Sequence, residues 1–196
     1  MFLLTDPSRT TIQDFLDAAS ALPFSYPHVG QTRPQNVPAG YDRDHNRVRI
    51  GWGSVDYQKA KHAIDAWKMF DFPWLRLVWN DTPIEVGRNV AILVRHMGFY
   101  SLNASRIIYV FDENSDDISR YGFAYGTLTD HNEQGEERFC VELNWKTDEV
   151  WYDLYAFSKP KHPLARLGYF YSRHLQREFV KSSKAAMARA VSGDQD

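Results

Sequence analysis

The sequence predicts an α+β fold in which a curved antiparallel sheet of about seven strands wraps around a long C-terminal helix, with a helical arm at the N-terminus. Apolar residues recur at helical spacing over residues 56–70 and again after residue 163. Between these two stretches they alternate with polar residues in six strand-length segments joined by short connections. A sheet and a helix that each have one apolar face can bury both by packing on each other.

Residues 1–46 are predicted to form an arm in front of the main domain. Thr10 or Thr11 can cap a short helix that runs to Leu22, because Ile12 and Phe15 begin an apolar stripe at helical spacing. The segment 23–40 contains four prolines and is predicted to be irregular coil that wraps around the domain.

The main domain is predicted to span residues 47–191 and to begin with a strand and a helix. Residues 47–54 alternate between apolar and polar side chains, which is typical of a strand. Asp56 is placed to cap the helix that follows, and an apolar stripe begins at Ala60.

Six further strands are predicted as an antiparallel meander, with turn-forming stretches such as residues 98–103 between them. The hairpin between residues 120–127 and 137–145 is the best defined, because both strands alternate cleanly: in the second, Phe139 and Val141 share one face and Cys140 lies on the other. The predicted strands cover residues 74–79, 89–96, 106–112, 120–127, 137–145 and 150–157.

The apolar period returns to 3.6 after residue 160 and predicts an amphipathic helix of about 30 residues that ends near Val191, followed by a disordered tail at 192–196. This helix is rich in cations, which indicates a solvated face. The alternative is a surface for anionic lipid or another acidic partner through Arg173, Arg177 and Lys181. The cations are Arg166, Arg173, Arg177, Lys181, Lys184 and Arg189, against the single anion Glu178.

Composition excludes several classes of protein. The longest apolar runs are five residues, far below the ~20 that a membrane helix needs, and no secretory signal precedes them. The formal net charge of −2 is not that of a nucleic-acid-binding chain. With one cysteine there is no internal disulfide, so a cytoplasmic protein is expected. Aromatic residues are abundant, at 12 Phe, 11 Tyr and 6 Trp, although the mean hydropathy is only −0.51.

Seven short segments resemble a known family. They are Trp67-Lys68-Met69-Phe70, Val94-Arg95-His96-Met97-Gly98, Arg106-Ile107-Ile108-Tyr109-Val110, Tyr121-Gly122-Phe123-Ala124-Tyr125-Gly126-Thr127-Leu128, Gly135-Glu136-Glu137-Arg138-Phe139, Val150-Trp151-Tyr152-Asp153 and Ala156-Phe157-Ser158. Together they resemble the bacterial and plant family called domain of unknown function 1990, also uncharacterised protein family 0548, over residues 47–187.

This family is similar to the START-like, birch pollen allergen-type helix-grip superfamily, so the resemblance implies a helix-grip fold. It also implies the general habit of that superfamily, which is to bind apolar or amphipathic small molecules in a central cavity. The family has no established activity, and the resemblance therefore supplies no catalytic residues.

No motif predicts a metal or a cofactor. His131, Glu133 and Glu136 or Glu137 form the nearest cluster of ligand-type residues, and a polar hairpin loop is the simpler explanation of them. There is no nucleophile elbow and no phosphate-binding loop. Cys140 is predicted to be a surface-facing, inert thiol.

Charged residues on otherwise apolar strand faces are the clearest candidates for a ligand site. Arg95 shares its face with Ala91 and Leu93, and Glu137 shares its face with Phe139; His96 has the opposite parity to Arg95. Either charge would need a partner or a ligand if buried, whereas at a strand end solvent would satisfy it. The predicted ligand-binding residues are Arg95, Tyr109, Tyr121, Phe123, Tyr125, Glu137, Phe139, Trp151 and Tyr155.

The sequence is compatible with three functions. The first is a non-enzymatic protein that binds a hydrophobic or amphipathic small molecule between sheet and helix, which requires a cavity of roughly 300 Å³ or more. The second is an enzyme of cyclase-like or hydrolase-like type using the same cavity, which requires Arg95, Glu137 or Asp153 to be buried there with a shifted pKa. The third is an interaction module that uses the basic C-terminal helix.

Overall fold

The structure is a computed structural model that describes residues 1–79, 81–96, 98–131, 133–160 and 169–193. Seven antiparallel strands form one curled sheet in the order β2-β8-β7-β6-β5-β4-β3, and the short β1 pairs with the start of β5. The strands are β1 (Phe2–Leu3), β2 (Asp42–Trp52), β3 (Leu75–Val78), β4 (Asn89–Arg95), β5 (Tyr100–Asn114), β6 (Ile118–Thr127), β7 (Glu133–Asn144) and β8 (Glu149–Pro160).

Among the described residues, three α-helices pack against this sheet. α2 (Gly53–Asp65) and α3 (Tyr169–Ser192) lie on one face, which we call the inner face, and share its apolar core. α1 (Arg9–Ser20) lies on the opposite, outer face, where Ile12 packs against Ala91 and Leu93 of β4. The predicted architecture, a curved sheet around a C-terminal helix with a helical arm, is confirmed.

Several predicted boundaries differ from the observed ones. α1 starts earlier than expected, because Ser8 caps it with an Oγ that accepts the backbone N–H of Thr11 at 3.1 Å. α2 starts at Gly53 rather than after Asp56, whose carboxylate instead accepts the backbone N–H of Trp52 at 3.0 Å.

The predicted turn at residues 98–103 is wrong from Tyr100 onward, because β5 already pairs with β4 there. β2 begins at Asp42, before the predicted strand start at residue 47, and pairs with β8 along its length. The first part of the predicted C-terminal helix, including Leu164, Arg166 and Leu167, lies outside the described residues, as does most of the predicted tail.

An aromatic core fills the inner face at its centre. Phe123 and Phe139 stack with ring centroids 5.1 Å apart, and Trp67 and Phe70 pack onto them from the short helical turn Lys68–Phe70. All four are nearly inaccessible to solvent. Near the C-terminus of α3, Met187 and Val191 bury themselves in the same cluster. This solid core borders an open space between the sheet and α3.

The coil after α1 runs along the outer face and is anchored at Glu136. The buried carboxylate of Glu136 accepts hydrogen bonds from the Tyr26 hydroxyl at 2.9 Å and from the backbone N–H groups of Gly30 at 2.7 Å and Thr32 at 2.9 Å. The Thr32 hydroxyl also donates to it. A Cβ on Gly126 would lie 2.1 Å from the Tyr26 hydroxyl, so a glycine is needed there. The anchored coil therefore covers the face opposite the inner core.

Candidate functional site

A cavity of about 1080 Å³ lies between the inner face of the sheet and α3, above the aromatic core. Its apolar wall is formed by β3, β4 and one side of α3. The exposed side chains of Phe2 and Tyr171 also line it, so the cavity reaches the surface near the start of α3. Apolar residues of this lining include Phe70, Ile92, Val94, Leu175 and Phe179.

The opposite wall of the cavity, on β2, β8, β7 and β6, is polar. One row of directly paired residues crosses these four strands: Asp44 pairs with Ala156, Ala156 with Glu137, and Glu137 with Tyr125. All four residues line the cavity. Because Ala156 carries only a methyl group, the space between the two carboxylates is left open.

Glu137 is the most perturbed carboxyl group of this wall. Its pKa is raised from 4.5 to about 7, mainly by burial and to a smaller extent by the nearby Asp44 and Glu133, whereas a hydrogen bond from Tyr125 opposes the shift. The Tyr125 hydroxyl donates that bond at 2.8 Å, and burial holds the pKa of Tyr125 well above its ordinary value. At neutral pH the Glu137 carboxyl is therefore divided between its charged and neutral forms.

Arg173 of α3 lies at one side of the cavity and contacts the edge strand β2. Its guanidinium meets Asp44 with two N–O distances of 2.5 and 2.8 Å. Gln176, one turn further, donates to Glu133 at 2.8 Å and to the Ser158 hydroxyl at 3.2 Å. Burial raises the pKa of Glu133, and the Gln176 bond and the charge of Arg173 counteract this. This network fixes α3 against β2, β7 and β8.

Aromatic side chains and His96 form the mouth of the cavity. The His96 ring stacks on Phe99 at 4.4 Å between centroids, and Phe99 packs edge-on against Phe2. The two ring nitrogens of His96 lie 2.9 Å from the Tyr171 hydroxyl and 2.8 Å from the Ser101 hydroxyl. Burial lowers the pKa of His96. The histidine thus links β5 to the described start of α3.

Of the nine sequence-predicted site residues, the structure brings Tyr125 and Glu137 together at the cavity wall. Tyr121, Phe123 and Phe139 share the inner face but lie outside the cavity lining: the two phenylalanines belong to the solid core, and the Tyr121 hydroxyl donates to Asp65 of α2. These five share a face as the alternation of β6 and β7 predicts.

The other four predicted residues lie elsewhere. Arg95 is exposed on the outer side of β4, and it lines a smaller pocket beside the mouth rather than the cavity itself. Tyr109 is buried on the outer face, where its hydroxyl bonds to that of Thr32 at 2.7 Å. Tyr155 also faces outward and donates to the Gln35 carbonyl at 2.7 Å. Trp151 lies under the Arg47 guanidinium, 4.6 Å from its ring centroid.

Two other sequence expectations change. Cys140 does lie on the outer row of β7, but it is 2% exposed rather than surface-facing, because Tyr109, Phe111 and Ala124 pack around it. The polar cluster near His131 is divided between the two faces of β7, since Glu136 faces outward and Glu137 faces the cavity.

Sequence reasoning missed Asp44, Glu133, Arg173 and Gln176 as parts of the site. Asp44 fell in the predicted N-terminal arm, before the predicted strand start at residue 47, and Glu133 fell in a predicted turn. No sequence signal marks Asp44, because residues 42–47 are all polar and the alternation of this part of β2 appears only in its burial.

The cations of α3 divide into two groups. Arg173 forms an ion pair with Asp44, whereas Arg177, Lys181 and Lys184 line the cavity beside Val180. Arg177 and Lys181 are exposed to solvent and Lys184 is half-buried. Among the described helices, none has the length and apolar character that crossing a membrane requires.

A family model and two relatives agree with the resemblance seen in the sequence. Residues 25–186 match the family model described as Domain of unknown function (DUF1990). The chain is 34% identical to a UPF0548 protein from Dictyostelium discoideum, over 100% of this chain and 98% of that one, and 34% identical to a UPF0548 protein from Arabidopsis thaliana, over 78% and 74%. A START superfamily protein from Mycobacterium smegmatis aligns with a TM-score of 0.42 and 12% identity, over 79% of this chain and 96% of that one. The chain belongs to the DUF1990 (UPF0548) family.

Proposed function

We propose that this protein binds an amphipathic small molecule in the cavity between the sheet and α3. The single observation that carries the proposal is the cavity itself, about 1080 Å³ with one apolar and one polar wall. Ligand sites are concave and mostly apolar, with a few polar groups that orient the ligand, and they commonly enclose roughly 300–1,000 Å³.

The division of the walls favours a ligand with two unlike ends. An apolar body would contact Ile92, Val94 and Phe179, where its burial contributes about 25 cal/mol per Å² removed from water. A polar end would meet Tyr125 and Glu137, which lie on the other wall. A wholly apolar ligand would displace water from the Glu137 carboxyl without offering it a polar partner, which is unfavourable.

A cavity-filling variant tests this proposal. Val94→Trp places an indole in the cavity, and Val86→Trp places the same side chain on the surface, because Val86 is 66% exposed. Protein purified from its own host would be measured by native mass spectrometry, with released small molecules identified by liquid chromatography and mass spectrometry. We expect one small molecule to copurify with the wild-type protein and with Val86→Trp, and to be lost from Val94→Trp.

The thermal unfolding of both variants would be recorded beside the mass spectra, so that loss of fold is distinguished from loss of ligand. Equal retention of the small molecule by a folded Val94→Trp protein would contradict binding in this cavity. A wild-type protein that neither carries a copurifying molecule nor takes up an added apolar fluorophore would contradict the proposed function altogether.

A second candidate function, an enzyme that uses the same cavity, is favoured by one specific observation. Glu137 faces the cavity with a pKa of about 7 and a hydrogen bond from Tyr125, and a carboxyl group with that pKa is suited to exchange protons at neutral pH. The other two residues considered for this role are placed differently, since Asp153 is paired with His45 and Arg138 on the outer face and Arg95 is exposed.

Incubating an extract of host metabolites with wild-type protein and with Glu137→Gln tests the second candidate. Catalysis predicts species that the wild-type protein consumes or forms with time and that the variant leaves unchanged. Bound but chemically unaltered metabolites in both samples would contradict an enzyme that depends on Glu137 and would leave the binding function standing.

A further inference from the structure

The Glu137 carboxyl in the cavity wall has no cation paired with it in the part of the chain that the structure describes. Its hydrogen-bond partner is the neutral Tyr125 hydroxyl, on one carboxylate oxygen. The charged groups that act on it, Asp44 and Glu133, are both acidic. A buried carboxylate is normally paired with a cation or used for a ligand, because desolvating an isolated charge is costly.

The neighbouring carboxylates already have partners, which distinguishes Glu137 from them. Asp44 is held by Arg173 through two N–O contacts, and Glu133 accepts a hydrogen bond from Gln176. Glu137 is therefore the carboxylate of this wall to which the polar group of a ligand would bind.

Space for such a group is built into the sheet beside Glu137. On β8 its direct neighbour is Ala156, and the next inward-facing residue of β7 itself is Gly135. Two strand spacings, roughly 9–10 Å, separate the backbones of Glu137 and Asp44, with only the Ala156 methyl between them. On the side away from Tyr125, therefore, only a methyl group on β8 and a glycine on β7 border the Glu137 side chain on the sheet.

The cations of α3 do not cancel this negative wall. The charge of Arg173 is neutralised by Asp44, and Arg177 and Lys181 are solvent-exposed, where water and salt screen them. Lys184, which is half-buried, lines the cavity without an ion pair to any described residue. An interaction with the desolvated Glu137 is stronger than one with the screened cations, because it acts in a lower dielectric.

We propose that Glu137 is the binding group for a protonated amine, and that the ligands of this cavity are amphipathic amines whose apolar part lies against β4 and α3. This inference rests on the proposed ligand-binding function and specifies the chemical class of the ligand. The ammonium group would supply the cation that Glu137 lacks among the described residues. It would bind one side of the carboxylate, while the Tyr125 hydroxyl stays hydrogen-bonded to the other.

Displacement of Nile red, a neutral apolar fluorophore, by three compounds of equal chain length tests the inference. The competitors are octylamine, octan-1-ol and octanoate, at pH 8, where the amine is protonated and Glu137 is mostly ionised. We expect octylamine to displace the probe at a concentration at least about tenfold lower than octan-1-ol, since a hydrogen bond to a charged group contributes about 1.5–3 kcal/mol. Glu137→Gln should reduce this ratio to about one while Nile red still binds.

The preference for the amine should also depend on pH. The titratable groups around Glu137 and along the cavity are Tyr125, Tyr152, Glu133 and Asp44 on the sheet, Arg173, Arg177, Lys181 and Lys184 on α3, and His96 and His131 outside the strands. With a carboxyl pKa of about 7, lowering the pH from 8 to 6 should weaken octylamine binding about tenfold and leave octan-1-ol binding unchanged. Glu85→Gln, at an exposed glutamate that is 58% accessible, is the matched control and should behave as wild type.

The outcomes separate the two proposals. A protein that neither binds Nile red nor carries a copurifying small molecule would overturn the proposed function and this inference with it. Nile red binding with no preference for octylamine, or with octanoate as the strongest competitor, would overturn the inference alone. An amine preference that persists in folded Glu137→Gln would likewise reject Glu137 as the binding group.

Discussion

The Tyr125 hydroxyl donates a 2.8 Å hydrogen bond to the carboxylate of Glu137, its direct cross-strand neighbour on β7. Both side chains face the cavity, and burial acts on both of them. The bond favours the charged form of Glu137, while burial and the acidic neighbours favour the neutral form. The balance between these effects places the titration of Glu137 near neutral pH.

Replacing Tyr125 by phenylalanine should raise the pKa of Glu137 above about 7, because the substitution removes the group that stabilises the carboxylate. The measurement is the pH titration of the side-chain carboxyl carbon of Glu137 by NMR. Tyr109→Phe, which removes a hydroxyl from the outer face, is the matched control and should not move the titration. A lower or unchanged pKa in Tyr125→Phe would show that the hydroxyl does not stabilise the charged form.

Replacing Glu137 by glutamine should change how stability depends on pH. The folded protein holds a proton on Glu137 up to a pKa of about 7, whereas the unfolded chain releases it near 4.5. Between these values the folded state binds more protons, so the contribution of Glu137 to the free energy of unfolding falls as the pH rises, by up to about 3 kcal/mol at 1.36 kcal/mol per pH unit. Glutamine does not titrate, so the variant does not lose free energy of unfolding in this way as the pH rises.

Urea denaturation at pH 5 and pH 8 measures the effect. Relative to wild type, Glu137→Gln should gain about 2–3 kcal/mol in the free energy of unfolding on going from pH 5 to pH 8. The control Glu85→Gln should show no such difference, because Glu85 is exposed. Parallel pH profiles for wild type and Glu137→Gln would mean that Glu137 titrates alike in the folded and unfolded chains.

Local sequence periodicity was sufficient to predict the inner row of β6 and β7. Strand side chains alternate with period two, so Tyr125, Phe139 and Glu137 could be assigned to one face before any pairing was known. The apolar stripe of the C-terminal helix similarly predicted the element that covers this face. Glu137 was therefore a candidate as the charge that interrupts an apolar row.

Periodicity could not predict which face of β4 is the inner one. Both of its rows are apolar, since Ala91 and Leu93 pack under α1 while Ile92 and Val94 line the cavity. The face that carries Arg95 therefore looked like a cavity wall.

Tyr109 and the pair Asp44–Arg173 depend on long-range structure. A register shift between Ile107 and Tyr109 changes the pairing of β5 with β6, which no local pattern reveals. Asp44 and Arg173 meet across 129 residues of sequence. Their contact depends on how α3 crosses the edge strand, which is decided by the whole core.

Removing the anchor of the outer-face coil should loosen that coil without emptying the cavity. In Glu136→Gln, one carboxylate oxygen that accepts from Gly30 and Tyr26, or from Thr32, is replaced by an amide that cannot accept. We expect a loss of about 1.5–3 kcal/mol in the free energy of unfolding. Gly126→Ala should act in the same direction, because its Cβ would lie 2.1 Å from the Tyr26 hydroxyl.

Hydrogen exchange followed by mass spectrometry tests where the effect occurs. Both variants should exchange faster in peptides covering residues 24–36, and Nile red binding should stay within about twofold of wild type, since the coil and the cavity lie on opposite faces. Faster exchange confined to β6 and β7, with the coil unchanged, would contradict the role of Glu136 as its anchor.

Cys140 should be unreactive in the folded protein. Burial raises the pKa of its thiol to about 12, and the side chain is packed among Tyr109, Phe111 and Ala124. At pH 8 only about one thiol in ten thousand would be ionised, and the thiolate is the reacting form. We expect no reaction with Ellman's reagent over an hour in buffer and one thiol per chain in 6 M guanidinium chloride, because the chain contains a single cysteine. Prompt reaction of the native protein would mean that the outer face opens at β7. An inert Cys140, by contrast, would limit any chemistry of the native protein to groups other than a thiol, which leaves the Tyr125–Glu137 pair as the titratable groups to test first.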